Sequence, residues 1–267
     1  MTDTKTIIWH LGPQKTGTTS IQSMLATNRE HLSQWVTSTC IREHSWRLAK
    51  SLAQQVDLGE TEPNSKTTRN FARLTASWRK SDVPSMIISD ETLIGPTFIA
   101  QGLTTRQRLV RITPLLQKLS EGYNHTIVLY ARPQDDWYKS AYKWAIWDQG
   151  EAREYDEWLT ELEHDPDWDS TTSQMREATS GTVELVDMNT ESDDPAPLGT
   201  ALLRAANVPD DAIASLEPVA PKNESISNGA LAFLRNLNRE IGLFPNRPAV
   251  RKAIMSSERS FTNETEL

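Results

Sequence analysis

Residues 6–22 read TIIWHLGPQKTGTTSIQ, and no other stretch restricts the fold as much. Thr6–Leu11 is β-rich and apolar, with too little polar alternation for a half-exposed strand, so it reads as a strand buried on both faces. Gly12 and Gly17 bracket a turn. A helix is predicted from Thr18 to about Leu32, with Ile21, Leu25 and Leu32 at helical spacing. Strand, glycine turn and helix in that order form the opening half of a βαβ unit, which implies a parallel sheet.

The rest of the chain extends the pattern. Ser85–Ser89 (SMIIS), Thr126–Ala131 (TIVLYA) and Thr182–Val186 (TVELV) read as three further strands. The fifty residues after Leu32 read as helical or irregular and polar, with Glu60–Thr68 a loop. A helix is predicted over Thr104–Leu119, where Pro114 should kink it or mark its true start. Asp135 or Asp136 should cap a helix running to about Asp148 and stopped by Gly150. Further helices are expected over Tyr155–Leu162, over Pro197–Ala206, and from Ser225 or Ser227 to Asn238. The expected fold is α/β: a three-layer, P-loop NTPase-like domain with a central parallel sheet flanked by helices. A single domain is expected over 1–267, with 248–267 a weakly patterned tail.

Composition narrows the function. The net charge of −8 argues against a general nucleic-acid binder, which needs a basic field for phosphates. Cys40 is the lone cysteine, so no intrachain disulfide can form. No signal-like apolar stretch opens the chain, and no run of about 18 apolar residues offers a transmembrane segment. A cytoplasmic protein is expected, and nothing in the sequence sets its oligomeric state.

In a parallel sheet, ligands sit beyond the carboxyl ends of the strands. Three predicted strand ends carry notable residues: the Gly12 loop, Asp90-Glu91 and Arg132. The loop itself almost matches the nucleoside-triphosphate pattern G-x-x-x-x-G-K-[ST]. Gly12 and Gly17 have the spacing, but Thr18 stands where the lysine should be, and the lysine lies inside the loop at Lys15. Backbone N–H groups and the helix start can still cradle an anion, with Thr18, Thr19 and Ser20 adding hydroxyls.

HLGPQKTGTTSIQ resembles the 5′-phosphosulfate loop of sulfotransferases that use 3′-phosphoadenosine 5′-phosphosulfate (PAPS), most closely their bacterial branch, related to the carbohydrate sulfotransferases. The resemblance implies that Gly12, Pro13, Gln14, Lys15, Thr16, Gly17, Thr18, Thr19 and Ser20 hold the phosphosulfate. Lys15 would neutralise the leaving phosphate. The family holds the 3′-phosphate with an arginine at a strand end and a serine eight residues on; Arg132 and Ser140 in ARPQDDWYKS have that spacing. It also closes a late loop over the donor, which PKNES matches with Lys222 and Asn223.

The implied reaction is transfer of a sulfuryl group to a hydroxyl or amine by in-line displacement, with no obligatory metal. It needs a base. In the family a glutamate ends the matching strand, and Glu91 occupies that place in MIISDET. Asp90 departs from the usual serine there, and His10, two residues before the loop, is a rival by its ordinary pKa. MIISD also resembles the acidic strand of nucleotide kinases and ATPases. A kinase or ATPase with a variant loop, or a nucleotide binder without catalysis, is therefore the alternative. Trp137, Trp144, Trp147, Trp158 and Trp168 gather with Tyr138, Tyr142 and Tyr155 in one stretch. They serve either as core and lid or as a surface that stacks on sugars. A glycan or glycolipid acceptor is the first expectation, a small hydroxylated metabolite the second.

Overall fold

A computed structural model describes residues 4–40, 45–98, 102–162, 167–192, 197–219, 227–242 and 246–257. The chain divides into two compact units: residues 1–133 with 165–220, and residues 134–164 with 221–267.

The first unit is an α/β fold built on a five-stranded sheet. Its strands are β1 (Thr6–Leu11), β2 (Val36–Cys40), β3 (Ser85–Ser89), β4 (Asn124–Ala131) and β5 (Thr182–Asp187). Every pairing is parallel, and the order is β2-β3-β1-β4-β5. β1 is the middle strand, and Ile7 through Leu11 are all buried. That burial is why its sequence runs apolar without alternating.

Helices cover both faces. On one side Ile7, Trp9, Met86, Ile88, Ile127 and Leu129 meet α3 (Trp46–Leu58), α4 (Ser65–Lys80), α5 (Thr105–Leu119) and α8 (Trp168–Glu177). On the other, Ile8, Ile87, Val128 and Tyr130 meet α1 (Thr18–Thr27), α2 (Arg29–Leu32), α10 (Thr200–Ala205) and α11 (Asp210–Ala214). A short α9 (Met188–Ser192) follows β5.

Several expectations are corrected. The helix after the loop breaks at Asn28 because that side chain is engaged elsewhere. Its amide donates to Met24 and Glu217 carbonyls, and its oxygen accepts from the Glu217 N–H at 2.7 Å. The polar stretch after it contains a strand, β2, whose VTSTC sequence lacks an apolar run because it lies at the sheet edge. The 60–68 loop ends early, since Asn64 caps α4 by accepting from Lys66 and Thr67 N–H groups. Pro114 lies inside α5 and does not begin it: a reciprocal cap between Thr104 and Gln107 fixes the start. Helix α8 falls where none was expected.

In the second unit, α6 (Gln134–Trp144) passes into a π-helical turn (Ala145–Gln149) that ends at Gly150, φ 84°. Asn238 on α12 (Asn228–Ile241) donates to the carbonyls of Ile146, inside that turn, and of Glu151, just beyond it. Ser227 caps α12, which runs one turn past Asn238. The short α7 (Tyr155–Thr160) stacks Tyr155 and Trp158 against Tyr142. The expected weak tail holds α13 (Arg247–Ser256), and its Arg251 covers Trp147 at 4.8 Å.

Candidate functional site

Strand order decides where a ligand can sit. From β1 the chain goes out to β2, back to β3, then over β1 to β4 on the opposite side. The connection that leaves β1 runs toward β2 and the one that leaves its neighbour β4 runs toward β5, so the two diverge, and a crevice is expected at the carboxyl ends of β1 and β4. The segments leaving β1, β3 and β4 there are the Gly12 loop, Asp90-Glu91 and Arg132. These are the three strand ends singled out by the sequence, and the fold makes them neighbours.

The loop has an unusual backbone. Lys15 has φ 75° and Gly17 φ 80°, two left-handed residues around Thr16. Gly17 takes that conformation freely, but for lysine it is costly. Alternating hands of this kind turn successive N–H groups toward one concavity. Gly17 also begins α1 with no side-chain cap and no acidic residue in the first turn, so nothing on α1 itself offsets its positive end.

The floor of the loop is polar and tight. Thr16 is fully buried and donates to the Pro13 carbonyl at 2.7 Å. A methyl group at Gly12 would come within 2.7 Å of Thr16 Oγ1, 2.9 Å of Thr18 Oγ1 and 3.3 Å of His10 Nε2. Two of those atoms, Thr18 Oγ1 and His10 Nε2, are buried without a hydrogen-bond partner among the described residues. His10 Nδ1 lies 2.7 Å from Ser89 Oγ, and its ring meets Tyr130 edge-on. Burial lowers the His10 pKa to about 3, so the ring is neutral beneath the loop. Tyr130 in turn donates to Glu191, which also accepts from the Gly199 and Ala201 N–H groups at the start of α10.

The two carboxylates at the end of β3 differ sharply. Asp90 is fully buried and engaged: Ser45 donates to it at 2.6 Å, and the Thr92 hydroxyl and N–H donate at 2.6 and 2.9 Å. Burial pushes its pKa up, against those hydrogen bonds. Glu91 is half-buried and accepts from Gln22 Nε2 at 3.2 Å. Gln22 lies on α1 and also donates to the Ser89 carbonyl at 3.1 Å. It thereby fastens the loop's helix to the strand end that carries Glu91. Sequence reading passed over Gln22, although its place one turn into the helix that follows a glycine loop was a usable signal.

Arg132 leaves β4 half-buried, its carbonyl accepting from the Trp168 indole at 2.7 Å. Its Nε is buried and has no partner among the described residues. Gln14 accepts from the buried Thr97 hydroxyl at 3.3 Å, which ties the loop to the segment after Glu91. Pro13 is buried, Ser20 half-buried and Thr19 exposed. Ser140 lies half-buried on α6, in the second unit. Trp137, Tyr138 and Tyr142 are buried there, while Trp144 and Trp147 are half-buried. Lys222 and Asn223 lie outside the described residues.

No described group of three or more His, Cys, Asp or Glu residues is placed to hold a metal ion. No described helix is long and apolar enough to cross a membrane. The chain matches no known family model and no curated protein at a significant level.

Proposed function

We propose that the chain is a PAPS-dependent sulfotransferase on a P-loop NTPase-like scaffold, moving a sulfuryl group to a hydroxyl or amine of an acceptor, with a glycan or glycolipid the favoured class. The observation that carries the reading is the meeting of three strand ends at the sheet's switch point, with a left-handed lysine inside the loop and not on the helix.

The residues present fit such a donor. Arg132 has a buried Nε in need of an acceptor, and Thr18 a buried hydroxyl in the same state. The uncapped start of α1 favours negative charge. The residues Gly12 through Ser20 would hold the 5′-phosphosulfate, while Arg132 would hold the 3′-phosphate. When bound, the donor supplies the sulfuryl group. Lys15 neutralises charge that builds on the departing phosphate oxygen. Glu91 takes the proton of the attacking acceptor; it is held toward α1 by Gln22 and is accessible where Asp90 is not. His10, neutral and sealed, supports the loop from below.

Calorimetry with 3′-phosphoadenosine 5′-phosphate, and with ATP with and without magnesium, tests the reading. Metal-independent binding of the bisphosphate, lost in Arg132→Ala, is the expected result. Glu91→Gln should keep that binding and lose sulfuryl transfer. Preference for magnesium-ATP would replace the reading with a kinase or ATPase, and bisphosphate binding with a Glu91→Gln variant of unchanged function would leave a nucleotide binder without catalysis.

A further inference from the structure

Away from the switch point, a groove of about 710 Å³ runs along the outer side of β2. It is lined by Thr37, Ser38 and Thr39, by Arg29, Arg47 and Arg73, by Trp46 and Asn70, and by the apolar Leu74 and Met86. Side chains of a strand alternate between the two faces of a sheet. Three consecutive strand residues lining one groove place it along the strand's edge, where main-chain N–H and C=O groups point outward, and Met86 extends it onto β3. β2 pairs with β3, and its other edge carries no partner among the described strands.

The edge is flanked by cations on both faces of the sheet. Arg29 belongs to α2, on the face where Leu32 and Val36 pack with Ile87. Arg47 and Arg73 belong to α3 and α4, on the face where Leu48 and Phe71 pack with Met86 and Ile88. Arg47 and Arg73 are exposed and have no carboxylate partner among the described residues. Trp46 is 52% exposed, with the Arg47 guanidinium 5.1 Å from its ring centre. Asn70 donates to the Arg47 carbonyl at 3.0 Å, which holds α3 and α4 together at the groove wall. This cationic cluster stands out on a chain of net charge −8.

We propose that the groove binds an acidic peptide segment in extended form, added as a sixth strand on the free edge of β2. An added strand satisfies the outward main-chain groups. Its successive side chains point to opposite faces, so neighbouring carboxylates meet Arg29 on one side and Arg47 or Arg73 on the other. Trp46 covers the apolar part of the bound segment. The proposal is independent of the sulfotransferase reading, because none of these residues belongs to the switch-point site.

The test is fluorescence anisotropy of the whole protein with a labelled eight-residue peptide of glutamate and valine. Three comparisons accompany it: the same peptide N-methylated at alternate residues, an acidic oligosaccharide of equal charge, and the Arg47→Gln/Arg73→Gln variant. Both arginines are exposed, so the variant should fold, and circular dichroism checks that it does. Saturable binding is expected, weakened roughly tenfold by N-methylation and by the double substitution, and falling with added salt. No binding, equal binding of the N-methylated peptide, tighter binding of the oligosaccharide, or indifference to the double substitution would each overturn the proposal.

Discussion

At the scale of single residues, the site is defined by groups held in states they would not choose alone. Lys15 at φ 75° is the clearest. A glycine there relieves the clash of a left-handed Cβ, whereas an alanine keeps it. Lys15→Gly should therefore be more stable than Lys15→Ala by about 1 kcal/mol in urea unfolding, though both lose the side-chain charge. Equal stabilities would mean that the loop carries no strain. Gly12→Ala should be destabilising by about 1–3 kcal/mol, because its methyl group would fall 2.7 Å from Thr16 Oγ1 in a floor with no room to relax. His10 gives the molecule an acid sensitivity. Its pKa falls from 6.5 when unfolded to about 3 when folded, so between those values the unfolded chain binds the extra proton. Stability should then drop as pH falls below about 6.5, by at most about 1.4 kcal/mol per pH unit from this group. His125, also lowered by burial, adds in the same sense. Asp90, raised by burial, acts oppositely: its contribution is present below its ordinary pKa and fades as pH rises through the raised value. Unfolding titrations at pH 7, 6 and 5 should show a shallower decline for His10→Gln. An unchanged slope would mean that His10 is not buried in its neutral form.

At the scale of elements, the informative contacts are those by which one element places another. Gln22 is a single side chain on α1, yet it bonds both the last carbonyl of β3 and the carboxylate just beyond it. Gln22→Leu should cost about 1–2 kcal/mol of stability, the ordinary worth of two hydrogen bonds. On the proposed reaction it should also lower the rate of sulfuryl transfer, since Glu91 loses the donor that holds it toward α1. A loss of stability with an unchanged rate would make Gln22 purely structural. The elements that sequence reading placed well are those whose signals are local. β1 and β3 have the bounds expected of them because apolar runs between turn residues leave little choice. β2 was missed because an edge strand of Thr, Ser and Cys lacks the apolar run by which its neighbours were found. The π turn after Trp144 was missed because a contact that holds it comes from Asn238, ninety-two positions away from the Ile146 carbonyl to which it donates.

At the scale of the whole molecule, Arg108 shows how the core and the site margin are joined. It is 3% exposed on α5, pairs with Asp57 of α3 at 2.8 Å and donates to the Ile94 carbonyl in the segment after Glu91. Asp57 is 51% exposed. The consequences of breaking the pair are therefore unequal. Asp57→Asn strands a buried cation and should cost about 3 kcal/mol, while Arg108→Met leaves a carboxylate that water can solvate and should cost less. Urea unfolding of the two variants measures the difference, and the reverse order would show that packing around the arginine stem outweighs its charge. By itself the sequence determined that a buried strand feeds a glycine loop with an internal lysine, and that polar residues close two other strands. Those are properties of neighbours along the chain, fixed by side-chain hydrophobicity and by the φ freedom of glycine. Only the tertiary structure decided that the three strand ends lie side by side, that Asp90 is consumed by Ser45 and Thr92 while Glu91 is held by Gln22, and that β2 is the last of the described strands on its side of the sheet, beside three arginines. Strand order, burial and hydrogen-bond partners depend on residues tens of positions apart, and no local pattern encodes which of them the sheet will bring side by side.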